Sequence, residues 1–403
     1  MRDTATDVDG ERTHIAHPMP DSVDEIFVAP EAAVAKQPAS AGAAGAHSDE
    51  LTGDTPGGRR SADESGKTTG KICVAPMMDW TDRHCRYFLR GFAPHALLYT
   101  EMITAQAILR GDRERLLAFD PEEHPVALQL GGSEPDDLAK AARIGEERGY
   151  DEINLNCGCP SDRVASGAFG ACLMLEPATV ADCVAAMRAR VKIPVTVKMR
   201  VGVITATGKT AREAVASFSE ADFEALHEFV EAIGEAGCQV AIVHARKAVL
   251  GGLSPKDNRE IPPLRYDVVR RLKQAFPTLP LIVNGGFRDV GAVKDALSWS
   301  DGVMLGREAY HRPFVLAELE HALFPDSPRT PSREELLDRM ARYAERALAR
   351  GDRLSAITRH MLGLYGGEPG AREYRRTLSE GSRVPDAGPE LFRRAIPAPR
   401  LHE

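Results

Sequence analysis

Between Lys71 and Arg307 the chain repeats one pattern eight times: a short apolar run, a polar or glycine-containing turn, then a helical stretch. The runs are Ile72–Ala75, Leu97–Thr100, Val126–Leu130, Glu152–Asn156, Val195–Met199, Val240–His244, Leu281–Asn284 and Gly302–Leu305. Runs this short and this rich in branched residues read as buried strands rather than helices. Pro135–Glu147, Ala178–Arg190, Glu224–Glu235 and Val290–Ser298 are among the helices expected between them. Eight strand–helix units predict an α/β fold, a (β/α)8 TIM barrel over residues 71–328, of the usual size of about 250 residues. An open doubly wound sheet is the competing topology. It wants a glycine fingerprint after the first strand, and none follows Ile72–Ala75.

The flanks differ from this repeat. Residues 1–70 are rich in Ala, Gly, Ser, Pro, Asp and Thr, with thirteen acidic and six basic side chains. Such a segment buries too little apolar surface to offset the entropy of ordering, so a disordered N-terminal extension is expected. Residues 203–222 read as a polar surface insertion after the fifth strand. Beyond Pro328, Ser332–Arg350 forms an amphipathic helix pattern with Ser332 as N-cap and Leu336, Met340, Tyr343 and Ala347 as its apolar stripe. Residues 353–365 and 370–380 read as further helices, giving a C-terminal all-helical domain over 329–383 and an irregular tail over 384–403.

The net charge of −8 comes almost entirely from the leader. Residues 331–400 contain 14 arginines, no lysine and 10 acids. An arginine-only excess suits phosphate recognition, because the guanidinium fork pairs two oxygens at once. On charge alone, a solvated helical surface is the reading ahead. No apolar run approaches the roughly 18 residues of a membrane span, and no apolar signal-peptide core is seen at the N-terminus. The seven scattered cysteines, without a C-x-x-C pair, point to a reducing compartment and argue against a disulfide frame or a zinc site. The expectation is a cytoplasmic monomer with no metal.

In a parallel barrel, the C-terminal strand ends face one shared pocket. Pro76, Met77, Met78, Glu101, Gln129, Asn156, Cys159, Lys198, Arg200, His244, Asn284 and Arg307 all fall at such ends. Glycines follow strands seven and eight, at Gly285-Gly286 and Gly306, with Arg307 next to the second turn. That position commonly binds phosphate in barrels, since glycine lets backbone N–H groups approach an anion. A phosphate site together with Met77 as an apolar wall, Gln129 for a pyrimidine edge and Lys198 for the N1–C2 locus suggests flavin mononucleotide, FMN. Lys198 fits a structural ion pair too. His244 is expected over the ribityl–phosphate arm or against the substrate. Asn156, Cys157 and Cys159 arrive together where Gly158 and Pro160 stop the fourth strand. A thiol beside an amide suggests a proton donor next to a group that holds a flat polar substrate, although a free cysteine also serves as a small apolar residue in a tight turn.

Several strings carry a family resemblance. They are Ala75-Pro-Met-Met-Asp-Trp-Thr-Asp-Arg-His-Cys-Arg86, Leu98-Tyr-Thr-Glu-Met102, His124-Pro-Val-Ala-Leu-Gln-Leu-Gly-Gly132, Asn154-Leu-Asn-Cys-Gly-Cys-Pro-Ser-Asp-Arg-Val164, His244-Ala-Arg-Lys-Ala248, Leu253-Ser-Pro-Lys-Asp-Asn-Arg-Glu260 and Pro369-Gly-Ala-Arg-Glu-Tyr-Arg-Arg376. Over about residues 71–380 the chain resembles the bacterial tRNA-dihydrouridine synthases, most closely their A-type branch. The resemblance implies an FMN barrel with a helical tRNA-binding domain. NADPH or NADH reduces the flavin, hydride passes to C6 of a uracil flipped out of the tRNA D-loop at positions 20 and 20a, and a cysteine protonates C5. Cys159 matches that acid. Pro76, Met77, Met78, Gln129, Lys198, His244, Asn284, Gly285, Gly286, Gly306 and Arg307 match the FMN site. Asn156, Lys256, Arg259, Arg375, Arg376 and Arg359 match the tRNA contacts.

The departures are Cys157, which stands where an apolar residue is expected and competes with Cys159 for the acid role, and Val249, which replaces an expected aromatic. Two other readings remain open at this level: a flavin-dependent reductase of free pyrimidines, and an RNA-binding module with a vestigial flavin site.

Overall fold

The computed structural model describes residues 70–160, 169–205, 215–251 and 253–398. The expected disordered leader, residues Ser161 to Val164 of the fourth-strand motif, and much of the 203–222 segment therefore lie outside the described residues.

The eight apolar runs are strands β1 (Ile72–Val74), β2 (Leu97–Tyr99), β3 (Val126–Gly131), β4 (Glu152–Cys157), β5 (Val195–Arg200), β6 (Ala241–His244), β7 (Leu281–Asn284) and β8 (Gly302–Leu305). All pair in parallel, each with its neighbour in the chain, and β8 closes onto β1. The chain is thus a closed (β/α)8 barrel. Alternate residues face inward. The barrel interior holds Cys73, Ala75, Leu97, Tyr99, Ala127, Val240, Ile242, Ile282 and Met304, all buried. Strand residues of the opposite parity, Ile72, Val74, Leu98, Leu128, Ile153, Leu155, Val197 and Val283, face the surrounding helices in a second, larger core.

Register sets the mouth. Arg200 pairs with His244 and His244 with Asn284, so residues from three strands finish level with one another, while Asn156 pairs with Lys198 two residues before Arg200.

Two boundaries differ from the sequence reading. The helix expected at Glu224 starts at Glu220, because Ser219 and Asp222 form a reciprocal capping box that satisfies its first amides. Within the expected surface insertion, Val203–Ile204 pairs with Ala248–Val249, and Ile204, Val215 and Val249 bury one another. Small apolar side chains there outweigh the polar composition around them.

The C-terminal region packs on the β1 side of the barrel. Helix Arg333–Ala349 is capped by Ser332 with Glu335 in a second capping box and buries Leu336, Leu337, Met340, Tyr343, Ala344 and Ala347. Tyr343 stacks on Tyr87 of the first barrel helix, Arg83–Arg90, with ring centroids 4.1 Å apart. The Tyr343 hydroxyl lies 2.7 Å from His84 Nδ1. Arg83–Asp352, Arg339–Glu122 and Arg346–Asp120 ion pairs rim the contact. Of the expected 353–365 helix only Leu354–Thr358 is helical, followed by turns, while Ala371–Gly381 forms as expected. The tail read as irregular contains a short helix, Glu390–Arg394, held by burial of Leu391 and Phe392.

Candidate active site

Three inward positions of β4, namely Glu152, Asn154 and Asn156, carry polar side chains through the barrel core. They continue into one hydrogen-bonded chain with β2, β3 and β5. Tyr99 and Thr196 donate hydroxyl protons to Glu152 Oε1, each at 2.6 Å. Asn154 Nδ2 donates to Thr196 Oγ1 at 2.8 Å, and Gln129 Nε2 donates to Asn154 Oδ1 at 2.7 Å. Asn156 Nδ2 donates to Gln129 Oε1 at 2.8 Å. At the mouth, Asn156 Oδ1 accepts from the backbone N–H groups of Gly158 and Cys159, both at 3.0 Å.

Asn156 thus grips the turn that presents Cys159. Arg200 grips it from the other side: its Nε donates to the Gly158 carbonyl at 3.1 Å, and its Nη1 reaches the carbonyls of Lys247 and Asn258. Ala171 N donates to the Cys159 carbonyl at 2.9 Å. The two thiols of the motif have different surroundings. Cys157 continues the outward-facing parity of Ile153 and Leu155, is fully buried against the helices, and has its thiol pKa pushed well up by burial. Cys159 is half-buried at the mouth, within electrostatic reach of Lys198 and Arg200.

Cations gather on this side. Lys198 is half-buried and makes no hydrogen bond or ion pair among the described residues, and its ammonium pKa falls from 10.5 to about 7, through burial first and the Arg200 charge second. His244 is held neutral, well below its ordinary value, by burial and by the charges of Arg200, Lys198, Arg246 and Arg259. Gly285 sits against the His244 ring: at its φ of +119° a Cβ would lie 2.9 Å from His244 Cδ2. Gly286, at φ +80°, leaves 2.5 Å between a Cβ and Leu264 Cδ1. Both turns therefore need glycine whatever binds there. Asn284 is buried and donates Nδ2 to the Met304 carbonyl at 2.8 Å.

The remaining expected cofactor residues are spread around the rim. Met77 is anchored by Thr81, whose Oγ1 accepts from Met77 N at 2.9 Å, and its sulfur faces Gly306. Pro76 is half-buried beside it. Met78 is 56% exposed. Arg307 pairs through Nη1 with Glu260 at 2.6 Å.

The dihydrouridine synthase family profile matches residues 73–397. The chain belongs to the dihydrouridine synthase family. Among curated relatives, tRNA-dihydrouridine(20/20a) synthase of Synechocystis sp. is 54% identical over 330 residues, covering 82% of this chain and 95% of the relative. The protein of that name from Xanthomonas campestris pv. campestris is 54% identical over 325 residues, covering 81% and 92%. That from Vibrio parahaemolyticus is 50% identical over 327 residues, covering 81% and 96%. The resemblance to the A-type branch stands, and the chain is an oxidoreductase of this family.

In this dihydrouridine synthase the residues expected at tRNA fall into two groups. Lys256 and Arg259 are exposed on the segment leading into and through the short helix Asp257–Glu260, beside the cationic side of the mouth. Arg375 and Arg376 are exposed on helix Ala371–Gly381 and make no ion pair among the described residues. Arg359 is exposed and donates Nη2 to the Asp79 carbonyl at 2.8 Å, joining the C-terminal region to the loop after β1. Much of the arginine excess has a structural use: Arg333, Arg339, Arg346 and Arg393 are in ion pairs.

Sequence reasoning gave no role to Arg200 or Glu152. Inward parity was the available signal, since Arg200 lies two residues beyond Lys198 and Glu152 two before Asn154. Glu101 is a third omission. Burial and the negative charges of Asp82 and Asp79 push its carboxyl up to about 7. Among the described residues no helix is long and apolar enough to cross a membrane.

Proposed function

We propose that this chain is an FMN-dependent tRNA-dihydrouridine synthase that reduces D-loop uridines 20 and 20a, with NADPH or NADH as electron donor. The observation that carries the reading is the Cys159 turn, clamped by Asn156 and Arg200 with its thiol half-exposed near an unpartnered Lys198. The donor set fits a flat anionic cofactor: Lys198 lacks an anionic or carbonyl partner, and Arg200, His244, Arg246 and Arg259 surround the same space with donors. When bound, FMN supplies the hydride taken from NAD(P)H to C6 of the uracil.

Each side chain then has a defined task. Lys198 would hold the N1–C2 edge of the ring, where its positive charge would favour the reduced anionic form. Gln129 keeps one N–H and one lone pair beyond its bonds to Asn154 and Asn156, available to the pyrimidine edge of the cofactor. Met77 and Pro76 form an apolar wall beside Gly306, and Met78 extends it toward the rim. Asn284, the Gly285-Gly286 turn and Arg307 take the ribityl–phosphate arm, with His244 against it as a neutral imidazole. Arg307, paired with Glu260 here, would be the cation for the phosphate. Cys159 Sγ–H gives its proton to C5 as hydride reaches C6, and Lys198 and Arg200 stabilise the thiolate that remains until solvent reprotonates it. Asn156 acts on the substrate base through the turn it holds, its Oδ1 fixing the Gly158 and Cys159 amides. An extruded base needs such a snug, polar-edged pocket.

Lys256 and Arg259 beside the mouth, with Arg359, Arg375 and Arg376 on the 329–383 helical domain, bind the tRNA backbone. A cytoplasmic location suits seven cysteines that form no disulfide.

The test is direct. Purified protein with NADPH, offered unmodified tRNA and free uracil, is expected to bleach its flavin absorbance and to form dihydrouridine at positions 20 and 20a, mapped by mass spectrometry. Turnover of free uracil alone would establish the pyrimidine reductase instead, and a colourless protein that binds tRNA would establish the RNA-binding module.

A further inference from the structure

We infer that Glu152, at the closed end of the barrel, is a positioning residue for Cys159: it is the acceptor that terminates a one-way hydrogen-bond chain running up through the core to the Gly158 and Cys159 amides. The inference rests on the reading of Cys159 as the proton donor.

The chain spans Glu152 to Asn156 along β4, four residues or roughly 13 Å of strand. Its upper end is fixed in sense, because the backbone N–H groups of Gly158 and Cys159 can only donate. Asn156 must therefore turn its oxygen upward and its amide downward. That forces the Gln129 oxygen toward Asn156, its amide toward Asn154, and the Asn154 amide toward Thr196. Thr196 has one hydroxyl proton, and its oxygen already accepts from Asn154. It has to donate downward, and Glu152 Oε1 takes that proton together with the one from Tyr99. Asn154, Gln129 and Asn156 thus each point their nitrogen toward Glu152 and their oxygen toward the mouth. A buried carboxyl is a costly place to end such a chain. A carbonyl-type oxygen at this place can accept two hydroxyl donors at once, and so holds the Thr196 proton downward. Remove the acceptor, and Thr196 regains a free proton that competes for Asn154 Oδ1. The flip then propagates through Gln129 to Asn156, whose Oδ1 holds the Gly158 and Cys159 amides.

The sequence spacing hides this chain. Its members come from β2, β3, β4 and β5, and only barrel closure stacks them.

The experiment compares Glu152→Gln, which keeps an acceptor oxygen of the same size and place, with Glu152→Met, which keeps the volume and removes the acceptor. Both are made in the full chain carrying Cys172→Ala, so that Cys159 is the half-exposed thiol that remains. Three quantities are read: the alkylation rate of Cys159 in the flavin-free protein, the rate of flavin reduction by NADPH, and the rate of flavin reoxidation by tRNA. The Gln variant is expected within about twofold of the parent in all three. The Met variant is expected to shift alkylation by about threefold or more. It should slow the tRNA-dependent step by about tenfold to a hundredfold and leave flavin reduction unchanged. A general loss of fold would lower both half-reactions together. If Glu152→Met does not fold, Asn154→Leu cuts the same chain one link higher and is expected to give the same split. The inference is overturned if the Met and Leu variants keep parental alkylation and reoxidation rates, or if Gln is as impaired as Met. Failure of the proposed function would instead appear in the parent itself, as no reaction with tRNA, and the alkylation comparison would still decide the role of Glu152.

Discussion

Lys198 should make the flavin-free protein less stable, and replacing it with methionine should show this. Its ammonium is half-buried with no counter-charge in contact, and Arg200 adds repulsion. The fall of its pKa from 10.5 to about 7 measures that penalty. At about 1.36 kcal/mol per pKa unit, the upper bound is near 5 kcal/mol. Water at the open mouth screens part of this, so about 2 kcal/mol is the reasonable expectation. The sign follows from proton counting. Below pH 7 the lysine is charged in both folded and unfolded chains and the full penalty applies. Between pH 7 and 10.5 the unfolded chain holds the extra proton, so the parent gains stability as pH rises. Lys198→Met lacks this dependence. Urea unfolding of the two flavin-free proteins should find the Met variant more stable by about 2 kcal/mol at pH 6, the gap closing toward pH 10. The same variant should bind flavin weakly. A Met variant less stable than its parent at pH 6, or a gap that does not change with pH, would refute the argument that Lys198 is held unpaired for a ligand.

Further outcomes follow from the same geometry. Cys159→Ala is expected to keep flavin and NADPH oxidation but lose most uridine reduction, whereas Cys157→Ala should retain activity and cost about 1 kcal/mol in thermal unfolding, as a small core deletion does; the reverse pattern would reassign the acid. Arg375→Ala combined with Arg376→Ala should weaken tRNA binding and flatten its salt dependence by about one charge per arginine, with flavin binding unchanged. Tyr343→Ala should destabilise the chain by about 3–5 kcal/mol, because it removes the buried ring that stacks on Tyr87. Tyr343→Phe should cost only about 1 kcal/mol, for the contact with His84; calorimetry distinguishes the two.

The amino-acid sequence by itself determined the barrel. Strands buried on both faces must be nearly continuous apolar runs, and helices on the barrel surface must show a 3.6-residue period, so β7 and β8 and the helix Pro135–Glu147 are legible to the residue. It also marked the candidate residues at the strand ends, since polar groups there have few structural reasons to be present. Local chemistry decided what was misread: a capping box at Ser219 outweighs the polar stretch before it, and Leu391 with Phe392 hold a helix in a tail of otherwise irregular composition. Other features exist only once the barrel closes. Cys157 and Cys159 differ by two positions in the chain, yet β4 ends between them, so strand parity turns one thiol into the helix layer while the turn leaves the other at the mouth. The link from Tyr99 and Thr196 through Glu152 and Gln129 to Asn156 joins residues up to 97 positions apart in number, and no local rule relates them. Burial set by that closure, together with the cations it gathers, is what shifts Lys198 and His244 from their ordinary charges.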